Sequence, residues 1–318
     1  TTDPLHVECA NDVTASNNGN GSGTGNPGSG YPRSSKPRPY GTSKQSRVSG
    51  GWSSYRLYNA NYMNWYYSTT LVDRSRIQVA QSVITDLVNA NPSIDFGLSV
   101  FNANSSSSND GGAIVRRIIA NSASSDRSNL VSLVSGLTAD NYTPLCETTY
   151  EAYRYFSGQA TVYARERGSA SPVKDSAAES PSGTYDSPVA GCEYVYVILM
   201  TDGEPTYDTD ANARIETLTG RTCSSYVNGF GRNEKNCLPD IAEYMHTNDL
   251  DGDSTNGQQK AITYTIGFTT NQALLSTTAQ RGGGLYYTTD TAEGLADAFQ
   301  GAITSILATN SSFTSPSV

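Results

Sequence analysis

The stretch Tyr194-Val195-Tyr196-Val197-Ile198-Leu199-Met200-Thr201-Asp202-Gly203 decides the fold. Its apolar run is strand-sized, far short of a membrane span. The run is continuous instead of alternating, which suits a central parallel strand covered on both faces. Helix-patterned and strand-patterned segments alternate on either side of it. Upstream, Ile77, Ala80, Ile84, Leu87 and Val88 repeat at helical spacing until Asn91-Pro92 stops them. Strands are expected over Ile94 to Phe101 and Ala113 to Ile119. Next comes a helix bearing Leu130, Val131, Val134 and Leu137, capped by Asp126 or Ser128. Another helix opens at Thr143-Pro144-Leu145, with Pro144 at the first helical position. Downstream, Leu238, Ile241, Ala242 and Met245 form a helical stripe, and Ala261 to Phe268 reads as a strand. Leu274 to Gln280 is helical, Gly282-Gly283-Gly284 is a turn, Leu285 to Tyr287 is a short strand, and Ala292 to Leu307 is a final helix.

Strands that alternate with helices imply an α/β protein, a mostly parallel sheet with helices on both faces. Ligands of such sheets sit beyond the carboxyl ends of the strands. Asp202 ends the strand that reads as most buried, so it is the leading functional carboxylate.

Of the 318 residues, 36% are apolar, and most of these lie between Ile77 and Leu307. That concentration supports one domain, 1–318, carrying polar excursions. Residues 1–72 read as a polar insertion, low in complexity over 11–51 and followed by the aromatics Trp52, Tyr55, Tyr58, Tyr62, Trp65, Tyr66 and Tyr67. Those aromatics suit packing of the insertion on the domain, with a recognition surface as the other use. Residues 157–192 and 204–237 read as surface insertions. The formal charge is -9, from 30 acidic against 21 basic residues. That balance disfavours a nucleic-acid partner, whose phosphates call for a basic face. The small basic stretch from Arg33 to Arg47 lies among Gly, Ser and Pro and reads as a solvated loop. No apolar run suits membrane insertion.

The five cysteines are Cys9, Cys146, Cys192, Cys223 and Cys237, and no pair has the spacing of a zinc or redox site. Cys223 and Cys237 bracket a polar loop with little core of its own, where a disulfide would stabilise by roughly 3 kcal/mol. The odd count leaves at least one thiol free or paired outside the chain. Asp249, Asp251 and Asp253 alternate as in a Ca²⁺ loop, although Gly252 falls too early and Lys260 stands where a bidentate Glu belongs. A solvated acidic turn is the plainer reading of those three. Asp208 and Asp210 follow the Asp202 strand closely and read as solvated, with support of a ligand residue from behind as the other use. The two histidines, His6 and His246, and the lack of a nucleophile elbow or phosphate loop point away from an enzyme. His246 is expected at a helix end, against the last carbonyls.

Val197-Ile198-Leu199-Met200-Thr201-Asp202-Gly203-Glu204-Pro205 resembles the strand end of von Willebrand factor type A (vWA) domains, and Thr143-Pro144-Leu145 resembles the threonine loop of that three-layer, Rossmann-like fold. Asn61 to Trp65, the Thr143 loop with Glu147 and Tyr150 to Phe156, Tyr264 to Phe268, and Gly282 through Tyr287 are similar in order to PilY-like type IV pilus-tip adhesins. Phe313 to Val318 resembles the junction into their carboxyl-terminal domain, so 308–318 is expected to be a linker. The resemblance implies a metal-ion-dependent adhesion site in which Thr143 and Asp202 help to hold Mg²⁺ or Mn²⁺. The remaining loop of such a site, Asp-x-Ser-x-Ser, is not found. Family order puts it, and the first central strand, upstream of Thr1. The implied role is an extracellular, pilus-tip binding module whose partners are minor pilins, the rest of the tip protein, and a host or surface receptor. A structural role in pilus assembly without cation-dependent binding stays open beside it.

Overall fold

The computed structural model describes residues 46–50, 53–57 and 74–312, except 103–110, 140–141, 168–169, 190–193, 254 and 256. Against the expectation of a single domain, the chain divides into two units, 1–73 and 74–318. In the first, β1 (Ser46–Gly50) and β2 (Ser53–Leu57) form an antiparallel hairpin with Ser46 opposite Leu57. The end of the stretch read as a polar loop is therefore paired strand. The aromatic side chains at 52–67, together with Cys9, Cys192 and 313–318, lie outside the described residues.

The second unit opens with α1 (Arg76–Ala90). A capping box starts it: Ser75 Oγ accepts the Gln78 N–H, and Gln78 Oε1 accepts the Ser75 N–H at 2.9 Å. Asn91 closes it by donating from Nδ2 to the Leu87 carbonyl at 2.8 Å. β3 (Phe96–Phe101) and β4 (Gly112–Ile119) follow as an antiparallel pair, then α2 (Ser124–Ser135). Neither Asp126 nor Ser128 caps α2. Ala123 is its cap residue, Asp126 stands in its first turn, and Ser128 lies inside it. α3 spans Leu145–Phe156, with Pro144 as its cap residue, one place earlier than expected. β5 (Tyr194–Thr201), α4 (Asn212–Thr219), the short hairpin β6 (Ser225–Val227) and β7 (Asn233–Lys235), and α5 (Leu238–Thr247) come next. β8 (Lys260–Phe268), α6 (Ala273–Arg281), β9 (Gly283–Thr289) and α7 (Ala292–Ser312) complete the unit.

β5, β8 and β9 form a parallel sheet in that order, with Tyr194 opposite Lys260 and Thr201 opposite Gly267. Strand periodicity sends alternate residues to opposite faces. On one face, Val195, Val197 and Leu199 of β5 join Ile241, Met245, Leu274 and Leu275 of α5 and α6. On the other, Ile198 and Met200 join Ala80 and Val83 of α1 and Leu295 and Phe299 of α7. The result is a three-layer α/β fold of Rossmann-like type. The central, most buried strand is β8, however, and not β5: every β8 residue from Ala261 to Phe268 is buried, whereas most of β5 is half-buried. A continuous apolar run reports that both faces are covered. It says nothing of pairing at both edges, and among the described residues β5 pairs on one edge alone.

Two expected loops turn out to be structural. Gly283 and Gly284 belong to β9, and a Cβ on Gly284 would lie 2.3 Å from the Thr263 carbonyl oxygen, so only glycine lets β9 reach β8. Gly283, at φ +75°, makes room for the His246 ring. That ring is partly buried, its Nδ1 has no partner in place of the expected helix-end carbonyl, and burial lowers its pKa. Residues 157–192, expected as a surface insertion, send Tyr163, Ala178 and Tyr185 into the core. Glu151 organises that segment from inside α3: its carboxylate accepts the Tyr163 N–H and the Tyr185 hydroxyl, both at 2.8 Å, and the Val162 N–H. Desolvation raises the Glu151 pKa despite those donors.

Candidate functional site

The carboxyl edge of the sheet is built from the turns that follow β5, β8 and β9. After β5, Thr201 folds the chain back: its Oγ1 donates to the Gly203 carbonyl at 3.1 Å and accepts the Gly203 N–H at 3.3 Å. After β8, Gln272 Nε2 donates to the same Gly203 carbonyl at 2.6 Å and to Thr270 Oγ1 at 3.1 Å, locking neighbouring strand ends together. Thr269 holds φ +59°, a region costly for a β-branched residue, with its N–H on the Thr289 carbonyl at 2.7 Å. Thr269 to Asn271 and Thr288 to Asp290 line an open depression of about 390 Å³.

Thr143 lies just before α3 and Asp202 just after β5. The Thr143 N–H donates to Thr206 Oγ1 at 2.9 Å, and the Thr206 N–H donates to the Thr143 carbonyl at 3.3 Å. The threonine loop is thereby tied to the segment that follows Asp202. Tyr142 and Tyr207 pack edge to face above the junction, with ring centroids 4.4 Å apart. Asp202 is exposed, and Arg76 Nη1 donates to its carbonyl at 3.1 Å and meets its Oδ2 at 3.5 Å.

That pairing bears on the expected Mg²⁺ or Mn²⁺. Thr143 and Asp202 offer hard oxygen donors of the right kind, but a guanidinium already faces the Asp202 carboxylate. Among the described residues no three acidic, histidine or cysteine side chains gather at this edge. Of the expected ligands, Thr143 and Asp202 lie among the described residues, and a cation would have to compete with Arg76 for the Asp202 carboxylate.

Asp249, Asp251 and Asp253 are held by main-chain donors of their own loop. Asp251 Oδ1 accepts the Asp253 N–H at 2.8 Å, Asp253 Oδ1 accepts the Thr255 N–H at 3.0 Å, and Asp249 Oδ1 accepts the Gln259 N–H at 3.0 Å. Asp251 and Asp253 each serve a local turn, Asp249 ties the two ends of the loop together, and the three do not converge within 4.8 Å of one another.

Cys223 and Cys237 form the expected disulfide, with Cα atoms 4.6 Å apart. It staples the base of the β6–β7 hairpin. Glu216 lies beside these sulfurs, but a disulfide offers no thiolate to a metal. Cys146 is a free, buried thiol whose pKa burial pushes up.

Two acids were misread or passed over. Asp208, expected to be solvated, is only 4% exposed, and Glu147 is fully buried. Asp208 accepts the Cys146 N–H at 2.6 Å, and Glu147 accepts the Ala211 N–H at 3.2 Å. No sequence signal marks Asp208, since Asp-x-Asp in a polar loop reads as surface. Glu147, at the third position of a helix, is a residue type common in exposed first turns. Asp210 is exposed, as expected, and accepts the Tyr163 hydroxyl at 2.8 Å.

No family model matches the chain, and no curated protein does. Distant likeness is found among solved structures. An aerotolerance-related membrane protein from Bacteroides fragilis superposes with TM-score 0.38 at 12% identity, over 74% of this chain and 90% of that one. BatB from Bacteroides thetaiotaomicron gives 0.38 at 15% identity, over 74% and 90%. The pilus adhesin SpaC from Lactobacillus rhamnosus gives 0.38 at 10% identity, over 71% of this chain and 27% of that one. At such scores the fold assignment rests on the chain's own layers and strand order.

Proposed function

We propose that this chain is a binding module for attachment at the cell surface, acting through the rim where the threonine loop meets the strand end after β5. The observation that carries the reading is the reciprocal hydrogen bonding of Thr143 and Thr206, which joins two loops where open α/β sheets bind ligands. Exposed Asp202 and Arg76 stand beside that junction with hydrogen-bonding capacity to spare. The residue patterns of the sequence support the narrower assignment to an extracellular pilus-tip protein of the PilY kind. Its partners would be minor pilins, the rest of the tip protein and a surface receptor.

The test is attachment of cells carrying Asp202→Ala or Arg76→Ala. Loss of attachment with an unchanged melting temperature supports the rim, and attachment equal to the parent overturns it. EDTA separates two forms of the reading. The Arg76–Asp202 pairing favours the form without a cation, in which attachment survives EDTA. Attachment lost in EDTA and restored by Mg²⁺ or Mn²⁺ would instead favour the metal-dependent form. Attachment intact in every variant, with pilus number falling on deletion of the domain, would favour the structural role in assembly.

A further inference from the structure

Beneath the rim, Glu147 and Asp208 form a carboxyl pair with an unusual set of partners. Asp208 Oδ1 accepts the Cys146 N–H in the first turn of α3, and its Oδ2 accepts Asn236 Nδ2 at 2.6 Å. Glu147 Oε1, itself in that first turn, accepts the N–H of Ala211, the cap residue of α4. Asp208 thus satisfies a donor in the first turn of the helix that carries Glu147, and Glu147 one at the cap of the helix that follows Asp208. Glu147 lies close enough to raise the Asp208 acid, and Glu147 Oε2 is buried with no hydrogen-bond partner. Two carboxylates only accept, so a buried oxygen without a donor beside a second buried acid calls for a proton. None of the ion pairs among the described residues involves either acid.

We propose that Glu147 and Asp208 share a single proton and act as a clasp between the threonine loop and the 206–211 segment, a clasp that opens when the proton leaves. Its consequence for binding rests on the rim reading above; the clasp itself does not. Like charges at contact in a dry interior cannot both ionise cheaply. The surroundings oppose a second negative charge as well. Cys146 on α3 and Asp240 on α5 face the pair, as do Tyr163 and, on β6, Tyr226 with Glu204 and Glu234 near it. Asp210 accepts the Tyr163 hydroxyl, and the Arg214 cation acts on that tyrosine. Burial first, and Glu147 second, push the Asp208 acid well above its ordinary range.

The sign follows from proton linkage. A carboxyl group whose folded value lies above its unfolded one contributes stability that is complete below the unfolded value, 3.8 for Asp, and is lost as pH rises through the folded value. With one proton involved, opening grows up to roughly tenfold per pH unit in that upper window.

Hydrogen exchange at the Cys146 and Ala211 amides of the full chain, from about pH 5 to about pH 9 and corrected for intrinsic base catalysis, reads this opening directly. Glu147→Gln keeps the acceptor for Ala211 and gives Asp208 a permanent N–H donor, so its opening should be flat across the range. Asp208→Asn provides the same comparison from the other side should the first variant fail to fold. A steep parent beside flat variants supports the clasp. Equal slopes in parent and variants, or a flat parent, overturn it. Attachment measured over the same pH range keeps the two readings apart. Opening that rises with pH while attachment stays constant supports the clasp and counts against the rim. Asp202-dependent attachment with no pH-dependent opening overturns the clasp alone.

Discussion

Asp202 and Asp208 lie six residues apart on one loop and live in opposite electrostatic worlds. The Asp202 side chain is 55% exposed and meets one guanidinium at 3.5 Å, in a solvent that screens the pair. Asp208 is buried, accepts two N–H donors from separate elements, and faces another acid instead of a cation. The difference lies in what surrounds them. Asp202 follows the strand end into water, whereas Asp208 is covered by the start of α3, by Asn236 and by the segment stapled at Cys223–Cys237. The exposed acid is free to meet a partner, and the buried one holds the loops that present it.

The largest expected effect is on the buried side. Asp208→Ala strands the Cys146 N–H and leaves Asn236 Nδ2 with the residue 208 carbonyl alone, and should cost about 3 kcal/mol in urea unfolding. A loss under about 1 kcal/mol would mean that water replaces the carboxyl group and would erase the contrast with Asp202. Next comes the staple over Asp208. Cys223→Ser combined with Cys237→Ser should cost roughly 3 kcal/mol, read as a lower denaturation midpoint that reductant no longer changes. If the double variant melts like the parent, the hairpin stands without its crosslink. Smaller again is Glu147→Gln, whose melting temperature should fall less than the parent's as pH rises from neutral; parallel curves would refute the shared proton. Smallest is Asp202→Ala, within about 0.5 kcal/mol of the parent in stability because a surface ion pair contributes little. Its effect should appear in attachment and not in unfolding.

The layers were legible because core burial writes periodicity into the chain. The helical stripe of Ile77, Ala80 and Val88, the run from Tyr194 to Met200, and the stripe of Leu238, Ile241 and Met245 all fall on observed elements. The centre of the sheet was not legible. β8 interleaves Thr263, Thr265 and Gly267 with its apolar residues, and Thr265 is buried with its Oγ1 donating to the Leu275 carbonyl at 2.8 Å. A hydroxyl satisfied by a distant main chain looks the same in sequence as one satisfied by water. The same blindness hid Asp208, and it hid that Asp249 reaches across its loop to the Gln259 N–H while Asp251 and Asp253 serve local turns.

By itself the sequence determined the α/β alternation, the placing of Thr143 and Asp202 at ends of elements, and the Cys223–Cys237 crosslink. Apolar spacing, turn residues and cysteine context are local, and local patterns survive in a linear string. Only the tertiary structure decided that β8 and not β5 is central, that Arg76 faces Asp202, and that Glu147 meets Asp208. Those facts depend on which distant groups desolvate one another, and the free energy of a polar group follows its partners in space more than its neighbours in the chain.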